Sequence, residues 1–95
     1  MPSSVDIEKI VLDLHDEYTE IGRLQKGLPS KSGNKDYSEL EQKIIAKARA
    51  LKIRTSTILQ KLRISDPKNY FAQVDNINSG ARQIEQNPYE KLLVV

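Results

Sequence analysis

Along residues 4–26 the apolar positions fall at Ile7, Ile10, Val11, Leu14, Tyr18, Ile21 and Leu24. Steps of three and four put all seven on one side of an α-helix and leave the polar residues on the other. Ser3 or Ser4 stands where an N-terminal cap is needed, and Asp6 and Glu8 occupy the first turn, where the helix dipole favours acid. The run Lys26-Gly27-Leu28-Pro29 reads as a stop: a late base, a glycine suited to a left-handed cap, an apolar residue and a proline. Residues 29–35, PSKSGNK, have the polarity and length of a turn between antiparallel helices.

The period then lengthens. Tyr37, Ile44, Leu51 and Ile58 recur every seventh residue, and Glu41, Ala48, Thr55 and Leu62 fill the alternate seam, as in a coiled coil. Asp36 and Glu39 have the spacing of a capping box. Neither Gly nor Pro interrupts 36–64, which predicts one helix of about 43 Å at 1.5 Å per residue. Ser65-Asp66-Pro67 ends it, because a residue before proline is pushed out of helical geometry while proline suits the first turn of a new helix. A third helix is predicted over 67–86, with a face of Tyr70, Phe71, Val74, Ile77, Ala81 and Ile84 that Gly80 weakens. Asn87-Pro88 closes it, and a tail over 88–95 ends in apolar Leu92, Leu93, Val94 and Val95.

The predicted fold class is therefore all-α: a three-helix up-down-up antiparallel bundle with a long central helix, forming one small helical domain over 1–95. Apolar residues make up 38% of the chain, with one Phe and no Trp. So short a chain builds a thin aliphatic core, which favours completion by a second copy or by a partner. Without cysteine there is neither a disulfide framework nor a thiolate metal site, and no metal or cofactor is expected. No apolar run approaches the length of a membrane span, so the expected setting is cytoplasmic, with no membrane partner.

Net charge is only +2, but it is segregated. Residues 1–26 are predominantly acidic and residues 36–64 predominantly basic. An antiparallel hairpin would set Asp13, Asp16, Glu17 and Glu20 beside Lys47, Arg49, Lys52 and Arg54, fixing orientation more than adding stability.

The stretch KIIAKARALKIRTSTILQKLR, residues 43–63, supports two functional readings. As one continuous helix it leaves Ile45, Ile53, Leu59 and Ile64 off the main seam. These four are then the expected partner-binding residues of a non-enzymatic interaction or assembly module, self-associating or docking another protein. As an alternative, Ala48 to Arg63 resembles a helix-turn-helix: a small residue at Ala48, apolar Leu51 and Ile53 around a turn, and Ile58 in the second helix. That resemblance implies a DNA-binding regulator with an element at 44–63, in which Arg54, Thr55, Ser56, Gln60 and Arg63 face the groove and Lys61 the phosphates. It also sets Lys52 where such turns normally carry glycine, and the heptad seam runs through the supposed turn without losing phase.

Catalytic chemistry finds little footing. His15 is the only histidine and is followed by Asp16 and Glu17, which would repel a phosphoryl donor. No nucleophile, base and oxyanion donor suggest themselves as a set, and the protein is not expected to be an enzyme.

Overall fold

The structure, a computed structural model, describes residues 4–28 and 37–90. Among them it contains three helices and no strand: α1, Ser4–Gln25; α2, Ser38–Ile64; and α3, Phe71–Gln86. The expected cap at Ser3, the capping pair begun by Asp36, the 29–35 link and the apolar tip 92–95 lie outside the described residues.

Each helix buries the stripe its spacing dictates. From α1 come Val11, Leu14 and Ile21; from α2, Ile44, Ala48, Leu51, Leu59 and Leu62; from α3, Val74, Ile77, Ala81 and Ile84, with Tyr70 just before it. Together they make one continuous aliphatic core, against which Ile7, Ile10, Tyr18, Leu24, Leu40, Ile58 and Phe71 are partly buried. At roughly 1.5–3 kcal/mol for each large aliphatic side chain removed from water, this burial is the main force holding the helices together.

Cross-contacts give the chain order of the packing. Between α1 and α2, Glu17 meets Arg54 and Gly27 meets Leu40. Between α2 and α3, Arg63 lies over Phe71, Thr55 meets Asn78 and Arg49 meets Glu85. Both series run in opposite directions along the two chains. Between α1 and α3 the series His15–Gln73, Tyr18–Gly80 and Gln25–Pro88 runs in the same direction. The α2–α3 interface is the most extensive of the three. The bundle is a rod 47 Å long and 18 by 17 Å across, somewhat longer than α2, whose 27 residues span about 40 Å.

The helix ends differ from expectation in two places. Gly27 does not take the left-handed conformation; Gly27 N–H donates to Leu24 O (3.1 Å) and Leu28 N–H to Gln25 O (3.0 Å), so α1 closes by tightening its last turn. What Gly27 provides is room: a Cβ there would sit 3.2 Å from Leu40 Cδ2. At the other corner α3 begins at Phe71, four residues after Pro67. Asn69 adopts φ 60°, which breaks helical geometry, and asparagine is among the few residues that tolerate it. Asp66 then caps the new start, accepting from Tyr70 N–H (2.6 Å) and Phe71 N–H (2.9 Å).

Past α3 the chain folds back onto the other helices. Gln25 Nε2 donates to Pro88 O (2.9 Å) and to Glu90 O (2.6 Å), while the Tyr89 hydroxyl donates to Glu41 Oε1 (2.8 Å). Pro88 is buried. The tail is therefore docked as far as residue 90.

Gly80 resolves an apparent defect in α3. A Cβ at this position would lie 2.7 Å from Tyr18 Cζ and 2.9 Å from Tyr18 Cε1, so glycine is what lets the phenol ring of α1 lie against the α3 backbone. Burial there pushes the Tyr18 phenol above its ordinary pKa. Helix propensity alone says that Gly80→Ala should stabilise by about 1 kcal/mol. The expected outcome is the reverse, a loss of about 1–3 kcal/mol in urea unfolding. In a double-mutant cycle, truncating Tyr18 to Ala should cost less in the Gly80→Ala background than in the parent. A rise in stability for Gly80→Ala alone would show that the ring does not depend on the glycine.

Candidate functional site

Because α2 is continuous from Ser38 to Ile64, the turn required by a helix-turn-helix is not formed. Thr55, Ser56 and Thr57, poor interior residues for a helix, are accommodated by hydroxyl bonds to the preceding turn. Thr55 Oγ1 donates to Leu51 O (2.8 Å), Ser56 Oγ to Lys52 O (2.9 Å) and Thr57 Oγ1 to Ile53 O (3.2 Å).

Thr55 does not face a groove, because it is fully buried. It forms one side of a polar node inside the α2–α3 interface. Asn78, 4% exposed, sends its amide nitrogen to Thr55 Oγ1 (2.8 Å), Ser56 Oγ (3.1 Å) and Lys52 O (3.1 Å). The other residues of that reading scatter around the helix. Arg54 is turned toward α1 and paired with Glu17, Ser56 is half-buried toward α3, and Arg63 stands 6.0 Å over the Phe71 ring. Gln60 and Lys61 are exposed.

The four expected partner-binding residues also divide. Leu59, at 9% exposed, belongs to the core: α2 is covered by two helices, so its buried arc is wider than one heptad seam and reaches Leu59 on the α3 side. Ile45 is half-buried. Ile53 and Ile64, at 58% and 89% exposed, remain on the surface. Ile53 follows Ile44 by nine residues, about two and a half turns, and so stands opposite the core.

A second repeat runs through Ile53 and Ile64. Ala46, Ala50, Ile53, Thr57, Gln60 and Ile64 follow one another at alternating steps of four and three, and all six are exposed. None carries charge. On its α1 side this outer stripe is bordered by Lys47, Arg54 and Lys61, and on its α3 side by Arg49, Ser56 and Arg63. The spacing is present in the sequence, but small and polar residues fill four of its six positions, so it stands out less than the heptad seam of the core.

A groove of about 490 Å³ separates the stripe from α3, with Ile53, Thr57 and Gln60 on one wall and Arg82, Glu85 and Gln86 on the other. A smaller one of about 190 Å³, lined by Ala50, Lys47, Arg54, Glu17 and Glu20 with Ile21, separates it from α1.

Of the three ion pairs that α2 makes among the described residues, two go to α3, a helix the charge pattern had not pointed to. Among the described α1 side chains, Glu17 is the carboxylate that pairs with α2; Glu20 pairs with Arg23 on its own helix, and Asp13 and Asp16 are exposed. Arg49 and Lys52 both turn to Glu85 of α3, at 3.2 and 2.6 Å. The Lys52 ammonium is paired with Glu85 Oε2 by charge, since the contact lacks hydrogen-bond geometry. His15 lies on the surface with Nε2 3.1 Å from Gln73 Oε1. Among the described residues no three His, Cys, Asp or Glu side chains gather as metal ligands, and no helix is long and apolar enough to cross a membrane.

No family model, curated protein or solved structure matches the chain.

Two stability experiments follow from these contacts. Asn78→Ala should cost about 1–3 kcal/mol by chemical denaturation, since it strips a buried node of its donor. The apolar pair Thr55→Val with Asn78→Leu should cost less than the sum of its single changes. Additive losses would mean that the two side chains act independently.

Glu85 sets a pH dependence. The adjacent Lys52 ammonium, helped by Arg49 and partly opposed by burial, holds its carboxyl below the ordinary glutamate range. A folded-state pKa lowered in this way contributes stability above the ordinary range, and that contribution is lost as pH falls through the folded value. Glu85→Gln should therefore be less stable than the parent at neutral pH, with the gap closing in acid. A gap that persists in acid would assign the loss to something other than the charge.

Proposed function

We propose that this chain is a non-enzymatic protein-docking module: an up-down-up helical bundle whose central helix offers its outer side to another protein. The observation that carries this reading is the uncharged repeat at 46, 50, 53, 57, 60 and 64, with Ile53 and Ile64 open to solvent. Isolated surface apolar residues are common and need no explanation. Two isoleucines in phase on one long helix, opposite its core face, form a strip that a second helix can cover. Burying each would contribute about 1.5–3 kcal/mol, suited to a modest affinity once the entropy of association is met.

The thin core supports the same reading. Three helices built on Leu, Ile, Val and Ala leave one side of α2 without a covering helix, and a docked partner would fill that place. A cytoplasmic setting, expected from the cysteine-free composition together with the lack of a spanning apolar run, is part of this proposal.

A photo-crosslinking residue placed at Ile53 or Ile64, with Asn76 on the exposed side of α3 as control, tests the reading in native cells. Discrete protein adducts from 53 and 64, and none from 76, are expected. Adducts removed by nuclease, or identical patterns at all three sites, would overturn it. Because both isoleucines are exposed, Ile53→Ser should change unfolding stability by no more than about 0.5 kcal/mol while losing its adduct-forming partner.

A further inference from the structure

We infer that the partner seated on the outer face of α2 is an acidic amphipathic helix from a different protein, not a second copy of this chain. The inference rests on the docking role proposed above and adds the chemistry of the occupant.

The geometry sets the shape. The repeat from Ala46 to Ile64 spans about 27 Å, five turns, at the four-three spacing by which a packed helix interleaves its side chains. Ala46 and Ala50 allow close approach at one end, while Ile53 and Ile64 supply the larger apolar contacts.

Charge selects the sequence. In paired helices the residues at the edges of the seam decide which partner is accepted. Here those edges are Lys47, Arg54 and Lys61 on one side and Arg49, Ser56 and Arg63 on the other. Arg82 of α3 adds a further cation at the groove beside Ile53. The bundle's own acids neutralise only part of this: Glu17 takes Arg54, and Glu85 takes Arg49 and Lys52. Lys47, Lys61, Arg63 and Arg82 make no ion pair among the described residues. An occupant with carboxylates along both edges meets these cations; one with lysines there is repelled.

That test excludes a second copy laid face to face. In parallel register, the Arg49 edge of one copy meets the Arg54 edge of the other. In antiparallel register each edge meets itself, Lys47, Arg54 and Lys61 against their own kind. The exposed side of α1 does carry acids, Asp13 and Asp16, but among the described residues it offers only Leu12 as a large exposed apolar residue and no repeat. It has the charge without the seam. Nucleic acid would satisfy the cations through phosphate and leave Ile53 and Ile64 in water.

The experiment uses the full chain and labelled synthetic heptad peptides long enough to span the stripe. One has leucine in the seam with glutamate at both edges, and one is identical but for lysine at the edges; a DNA duplex is the third probe. Fluorescence anisotropy should show saturable binding of the acidic peptide, weakened by salt, and none of the basic one. Ile53→Glu with Ile64→Glu should weaken binding at least about tenfold, and so should Lys61→Glu with Arg63→Glu. Both variants should keep the parent's helical circular dichroism, because all four positions are exposed.

Failure of the acidic peptide to bind overturns the inference, as does equal binding of both peptides or tighter binding of the duplex. Light scattering that shows a dimer dispersed by the isoleucine changes overturns it in favour of a second copy. If protein adducts still form at 53 and 64 while the acidic peptide does not bind, the docking role stands and this inference alone falls. If neither occurs, both fall.

Discussion

One buried amide group ties the register of α2 to that of α3. Asn78 reaches from α3 to the Lys52 carbonyl, Thr55 and Ser56, within a core that is mainly aliphatic. Aliphatic side chains are indifferent to small slips along a helix pair, but a buried amide is not, because a shifted register leaves its polar atoms without partners. With Thr55 opposite Asn78, Phe71 lies at Arg63 and Glu85 at Arg49 and Lys52. Tyr89 lies at Glu41 beyond the end of α3. The ion pairs are consequences of this register and add to it modestly, since most are partly exposed.

The same register decides which side of α2 stays open. Helices α1 and α3 meet α2 on adjacent flanks, giving it a buried arc from Leu51 through Ile44 and Ala48 to Leu59. The opposite arc, centred near Ile53, is beyond the reach of either. Its openness follows from how three helices share a core: each can be covered on two sides only. The unusual feature is that this arc repeats in heptads without a charge.

Much of the architecture was legible in the residues. All three helices follow from apolar spacing, and the end of α2 follows from Asp66-Pro67. What spacing does not carry is the identity of neighbours. Glu85 escaped notice because no periodic signal marks an acid as the partner of a base some thirty residues away. Leu59 lies off the two-stranded heptad seam but within the wider arc that two covering helices bury, and spacing along α2 alone does not say how far that arc reaches. Thr55 and Asn78 each stood as a polar residue on an apolar face, the available sign that they would meet. The start of α3 moved past Pro67 because Asn69 took a left-handed conformation, a choice of local backbone that proline preference does not foresee. At the candidate site, Ile53 and Ile64 were identified from sequence, but their link to Ala46, Ala50, Thr57 and Gln60 became plain only once the outer side of α2 was seen to be uncovered.

Because Ala46, Ala50, Ile53, Thr57, Gln60 and Ile64 are all exposed, the residues that hold the bundle together and those that would choose its partner are separate sets on one helix. Changes on the outer side leave the Asn78 node and the aliphatic core as they are. On the docking role proposed above, a few substitutions along that outer side would redirect the bundle to a new ligand without a new fold. An enzyme whose reactive groups sit within its core has no such freedom.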